Sequence, residues 1–257
     1  RISLTYERYI LRNPIRVLLV LALILSFSIV NIKYFELDAS ADTLILDDDE
    51  DLKIFRDTNE KYKANDFMIL TITDKYRDTF SPETLSFIQM LTQKIAKVDY
   101  VESVTSITNI PLVTSSEKPL TELINDVPNI LSEDINKRLA REEILSSPIY
   151  KDLIISSDAK TSAMQIVIRK NQNLLDALNK RNMLYQKYAI NSIYEDRYIK
   201  SKTTYDSIAK EEKENIGSLI KELRVIQEKY SSERYEIRLG GIPMITDDMI
   251  TFIRNDL

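Results

Sequence analysis

The chain of 257 residues has no cysteine, no histidine and no tryptophan, and only 3 glycines and 7 prolines. Each absence removes a class of chemistry. Without cysteine there is no disulfide framework, thiol nucleophile or thiolate metal site. Without histidine the chain lacks the commonest general base near neutral pH and the commonest metal ligand. Three glycines cannot supply the Gly-rich loops that cradle phosphates. The net charge of -5 leaves no footprint for nucleic acid, which is not an expected partner. Carboxylates and lysines are abundant, but none stands alone in a strongly apolar context that would shift its pKa. The sequence therefore names no catalytic residue, no metal ligand and no cofactor-binding residue. It assigns no substrate-binding residue either. The expectation is a protein that is not an enzyme and takes no cofactor.

What is present is one uncharged, strongly apolar stretch, Val17 to Ile32. With Ile15 and Arg16 it gives about 18 residues, or about 27 Å of helix, close to the hydrocarbon thickness of a bilayer. Arg1, Arg8, Arg12 and Arg16 precede it. Lys33 follows, and then Glu36, Asp38, Asp42 and the run Asp47–Asp51. Counting basic residues places the N-terminus in the cytoplasm and everything after Tyr34 outside it. A cleaved signal peptide is the alternative, and Ala39-Ser40-Ala41 has the form of a cleavage site. The apolar core is long for a signal, and that site lies well beyond its end, so a retained anchor is the better expectation. Residues 1–33 are then a cytoplasmic N-terminus and transmembrane helix. Residues 34–257 form an extracytoplasmic domain.

With 44% hydrophobic residues and so few helix breakers, this domain should hold a real core and long helices. Tyr34 to Ser40 reads as an extended exit segment. Asp47, Asp49 and Asp51 alternate like a calcium loop, but Leu52 stands where its glycine belongs and Thr58 where its final glutamate belongs. The carboxylates suit instead the start of a helix patterned by Leu52, Phe55, Asn59 and Tyr62. Asp66–Thr73 reads as a buried strand. Ser81-Pro82-Glu83 opens a helix whose Leu85, Ile88, Leu91, Ile95 and Val98 form one apolar stripe. Val101–Ile107 alternates as a strand. An irregular segment with Pro111, Pro119, Pro128 and Pro148 follows, with a short helix over Ser132–Leu145 and an open loop position at Ser115. Asp152–Ser156 and Ser162–Arg169 read as paired strands. About sixty helix-forming residues, Asn173 to Ser232, come next, with a charged middle from Glu195 to Asn215. They suit either one helix or a hairpin bent near Lys202–Asp206, with its tip near Ile199–Ile208. Tyr235–Leu239 is a strand ended by Gly240-Gly241, and Ile242–Leu257 is a final amphipathic helix. The whole is an α+β pattern of paired split βαβ units. Its sheet comes from 66–73, 101–107, 162–169 and 235–239, with 81–98 on one face.

The residues that carry a family likeness are now in place. They are Tyr9-Ile10-Leu11-Arg12-Asn13-Pro14 before the apolar helix, and Leu37-Asp38-Ala39-Ser40-Ala41-Asp42-Thr43-Leu44 after it. To these add Ser156-Ser157-Asp158-Ala159-Lys160-Thr161 between two strands, and Leu239-Gly240-Gly241-Ile242-Pro243 before a helix. In order and spacing the chain resembles the resistance-nodulation-division superfamily, in particular its MmpL-like and hydrophobe/amphiphile efflux exporters. The family commonly has Gly where Ala159 stands. The helical stretch of about 173–232 looks like an insertion in the family's porter domain. The resemblance implies the first transmembrane helix and first porter domain of a transporter of the bacterial inner membrane, with the main domain periplasmic. Its final helix would lead to a second span. The full-length protein would be driven by protons and would export a hydrophobic or amphiphilic, lipid-like substrate. The implied partners are membrane lipids, that substrate, and a further copy of the chain or a periplasmic protein met through the long helical insertion. The alternative is a single-pass anchored module for binding or assembly.

Overall fold

The computed structural model describes residues 14–31, 54, 58, 61, 65–116, 127–133 and 135–256. The N-terminal arginines, the exit segment 34–40, the acid run 47–51 and the helix read over 52–62 lie outside the described residues.

The apolar stretch is helix α1 (Pro14–Asn31), opened by a proline in its first turn. It is 18 residues long with a mean hydropathy of 2.1, and no residue in it is buried. It is long and apolar enough to cross a membrane.

Four strands make one antiparallel sheet: β1 (Phe67–Asp74), β2 (Val101–Thr105), β3 (Thr161–Ile168) and β4 (Tyr235–Gly240), in the order β2-β3-β1-β4. Burial alternates with period two along β1 and β3, so Met68, Leu70 and Ile72 share a face with Met164, Ile166 and Ile168. That face needs a cover. Helix α2 (Pro82–Ile95) supplies it with Leu85, Ile88, Leu91 and Ile95, the stripe read from the sequence. The C-terminal half of a much longer helix supplies the rest with Leu219, Ile220, Leu223 and Ile226. Each such side chain contributes about 1.5–3 kcal/mol by leaving water. The chain thus runs β-α-β-β-α-β, the split βαβ arrangement expected, and the sheet's four strands are those read for it from the sequence, with 101–107 shortened to 101–105.

Three details of the body differ from expectation. Residues 152–156 are a tight turn and not a strand, bridged singly from Lys151 to Ile155 and from Ile155 to Ser162. Asp152 has a positive φ of 62°, which no regular strand accommodates. The short helix, α3 (Lys137–Ser146), starts later than 132, because the Asn136 side chain accepts from the N–H of Arg138 and Leu139 and so fixes the N-terminus there. Ser115 is buried: the Glu143 carboxylate on α3 accepts from the N–H of Val113, Thr114 and Ser115 and folds that loop inward.

The long helical region is a hairpin of α4 (Gln172–Ile190) and α5 (Glu195–Tyr230), joined by one 3-10 turn at Ser192–Tyr194. The bend is at 191–194 and not near Lys202–Asp206. Asn191 ends α4 in extended backbone, and its side chain accepts from Ile193 N–H. At the expected bend, Lys202 and Asp206 instead form an i,i+4 ion pair of 2.7 Å along an unbroken α5. Residues 199–208 therefore lie within α5, and the tip is the turn itself.

At the end of β4, Gly241 has φ of 135°, and a Cβ there would stand 3.0 Å from Met68 Cα and 3.1 Å from Phe67 O. Only glycine lets the chain turn this closely over β1 into α6 (Ile242–Asp256).

Candidate functional site

The polar loop Ser156–Thr161, one of the segments that carry the family likeness, is a turn that satisfies itself. Ser156 Oγ donates to Asp158 Oδ1 at 2.6 Å, and Asp158 Oδ1 also accepts from Lys160 N–H. Thr161 N–H donates to Ser156 Oγ, and Ala159 N–H to Ser156 O. Ala159 sits at φ 58°, in the left-handed region that glycine enters without cost. The hydroxyls here close a connection between strands and do not point to a substrate.

The strongest electrostatic feature is Asp74, the last residue of β1. Its side chain is fully buried and accepts five hydrogen bonds. Tyr76 and Arg77 N–H reach Oδ1, and Thr84 Oγ1 reaches Oδ2 at 2.6 Å. Arg234 Nε and Nη2 reach the same oxygen at 3.0 and 2.9 Å. Burial pushes this carboxyl up, but the hydrogen bonds from Arg234, Thr84 and the two backbone amides outweigh it and hold it at about 2. The same contacts raise the Arg234 pKa further. The cluster ties the end of β1 to the first turn of α2 and to the start of β4. Every acceptor site is used, so the group is a clamp and not an acid or base. The sequence did carry its signal: the inward period of Met68, Leu70 and Ile72 places Asp74 inside as well.

Two clefts open on the body. One, of about 340 Å³, lies between Gln89, Thr92 and Gln93 of α2 and Thr108, Asn109 and Asn129 of the link after β2. Ser106 Oγ stands 2.9 Å from Thr92 Oγ1 and 2.8 Å from Thr108 Oγ1, a buried chain of hydroxyls beneath it. The other, of about 490 Å³, lies at the base of the hairpin among Tyr100, Asn171, Asn173, Asp176, Ile208 and Glu211. The first is lined by amides and hydroxyls together with Leu131, the second by amides and carboxylates together with Tyr100 and Ile208. Among the described residues, no three His, Cys, Asp or Glu side chains are grouped to hold a metal ion.

Apolar surface is found elsewhere. Ile242, Ile245, Met249 and Phe252 are exposed and spaced three, four and three residues apart, which puts them on one stripe of α6. The opposite side of α6 packs inward through Ile250 and Met244, and Asp248 accepts from Arg224 of α5 at 2.5 Å. This second stripe was read in the sequence only as general amphipathicity.

The hairpin is zipped by rings. Tyr198 stacks on Tyr188 with centroids 5.5 Å apart and meets Tyr185 at the same distance. Arg181 lies 4.4 Å over Tyr205, and at the base Asn171 donates to Glu212. These contacts stay within the arm. Replacing residues 183–202 by a short turn should therefore leave the cooperative melting of the body unchanged. Loss of the body's cooperative transition would show that the arm belongs to the core.

No family model, curated protein or solved structure matches the chain.

Proposed function

We propose that this chain is the N-terminal part of a transporter of the resistance-nodulation-division type. In this reading α1 is the first span and residues 34–257 are the first extracytoplasmic porter domain in the bacterial inner membrane. The full-length protein exports a hydrophobic or amphiphilic, lipid-like substrate on the proton gradient, and the chain's part is in transport and not catalysis. The observation that carries the reading is the pairing of an exposed apolar helix with a split βαβ domain behind it. Two details support it. The left-handed backbone at Ala159 is a place where the family's glycine would sit at ease, and Gly241 makes the close turn into α6. The outer stripe of α6 is an exposed apolar face that suits contact with an acyl chain. The hairpin arm favours the second reading, a single-pass anchored module for binding or assembly, because a projecting arm suits contact with partners.

The two readings separate in an export assay on the full-length protein. Export should stop when an uncoupler collapses the proton gradient and ATP is intact. Export that survives the uncoupler and stops on ATP depletion would exclude the proton-driven mechanism. A stop codon directly after Leu257 would leave the anchored module. Orientation has its own check. Ser157 is exposed and residues 1–257 hold no cysteine, so Ser157→Cys gives them a single accessible thiol. An impermeant maleimide should label it in intact cells with a permeable outer membrane. Labelling only after lysis would reverse the topology.

A further inference from the structure

The least explained feature of the molecule is the tip of the arm. Ile190 and Ile193 flank its turn and are 88% and 76% exposed. Around them stand Tyr194 and the exposed Lys187, Arg197 and Lys200. Between residues 187 and 200 there are three basic side chains, Lys187, Arg197 and Lys200, and two acidic ones, Glu195 and Asp196, in a chain whose net charge is -5. The two acids occupy the first turn of α5, where they offset that helix's own dipole. The end of the arm is thus locally cationic, with aliphatic and tyrosyl groups at its extremity.

Direction adds a second observation. β3 ends at Ile168 opposite Asp66 and Phe67, where β1 begins, and α4 starts four residues later. The arm leaves the sheet at the end where β1 starts. From Gln172 to Ile190 it extends about 28 Å.

We propose that the tip docks on the anionic surface of the bilayer that holds α1. Ile190 and Ile193 would enter the headgroup region, Tyr194 would lie at the interface, and Lys187, Arg197 and Lys200 would face the lipid phosphates. Tyrosine belts, shallow aliphatic insertion and basic rims are the chemistry of that interface. Two isoleucines on a convex turn fall far short of the roughly 800 Å² per partner that a stable protein interface covers. A bilayer accepts such a wedge without a matching pocket. The proposal rests on α1 lying in the membrane, and the test separates the two.

The absence of native cysteine allows single thiols in the full chain. Ser26→Cys on α1, Ile193→Cys at the tip and Ser157→Cys on the body would each carry an environment-sensitive fluorophore. The protein is reconstituted in bilayers of phosphatidylcholine with or without phosphatidylglycerol, and nitroxide-labelled lipid is the quencher. The Ser26 label should be quenched in both bilayers. The Ile193 label should be quenched strongly only with phosphatidylglycerol, and the Ser157 label in neither. Arg197→Glu with Lys200→Glu should weaken docking of the tip by at least about tenfold. An Ile193 label quenched no more than the Ser157 label, while Ser26 is quenched, would overturn the docking alone. An unquenched Ser26 label would overturn the anchor and the docking with it. Unchanged far-UV circular dichroism of the charge-reversed protein checks its fold.

Discussion

Arg234→Ala should lower the stability of the domain by about 3 kcal/mol at neutral pH, the lower end of the usual cost of stripping a buried charge of its partner. The Asp74 side chain has no exposed surface, but Arg234 is about a third exposed, so water replaces part of the lost guanidinium contact. The lower end applies because Thr84 and the N–H of Tyr76 and Arg77 still hold the carboxylate. Denaturant unfolding at pH 7 measures the loss, and a change under about 0.5 kcal/mol, the range of ordinary surface substitutions, would show that the pair is idle. The pH dependence has a definite sign. A carboxyl at about 2 in the folded state and 3.8 in the unfolded one stabilises the fold above pH 4. That contribution, about 2 kcal/mol, is lost as pH falls from 4 towards 2. In Arg234→Ala the folded-state value rises towards the unfolded one, and the acid limb of the stability curve should flatten. An equally steep limb in the variant would assign acid unfolding to other carboxylates.

Leu91→Ala should cost about 2–5 kcal/mol. Leu91 sits in the third turn of α2 with no exposed surface, under a sheet face built from Met68, Leu70, Met164 and Ile166. The cost combines lost transfer free energy with a cavity that strands on one side and a helix on the other cannot close. The neighbouring residue is a control. Met90 is exposed, and Met90→Ala should change stability by less than about 0.5 kcal/mol. Equal effects at the two positions would mean that the helix buries a different face.

The body was legible because its signals are local and regular. The compact β-forming run of 66–73 marks a strand, the three-four spacing from Leu85 to Ile95 points one helix face inward, and the structure uses both. The Ser81-Pro82 start was legible for a local reason, the fixed φ of proline at the first helical position. The bend of the hairpin was not. It depends on Asn191 accepting from Ile193, and a charged stretch at 202–206 looks as breakable on paper as it is continuous in space, where its ions pair along one helix. Residues 152–156 misled because an apolar run of four or five can be turn or strand, and the choice fell to left-handed backbone at Asp152 and Ala159. The burial of Ser115 depends on Glu143, 28 residues away, and no local pattern in the sequence announces that contact. As for a site, the sequence named no residue. The clamp at Asp74 was readable from phase alone, whereas the apolar tip of the arm becomes a tip only once the bend is placed.

The place of β1 in the sheet has a consequence for how the protein is made. β1 is a central strand, but its partner on one side, β4, is encoded about 160 residues later. On a ribosome adding 5–20 residues per second, the row of N–H and C=O groups from Ile69 to Asp74 waits roughly ten to thirty seconds without that partner. During this time it is an open edge, the kind of template that captures strands from other chains. On the proposed reading of α1, a nascent chain is held at the membrane while it waits. The same chain released into bulk solution before Gly240 has emerged is exposed to every other unfinished copy.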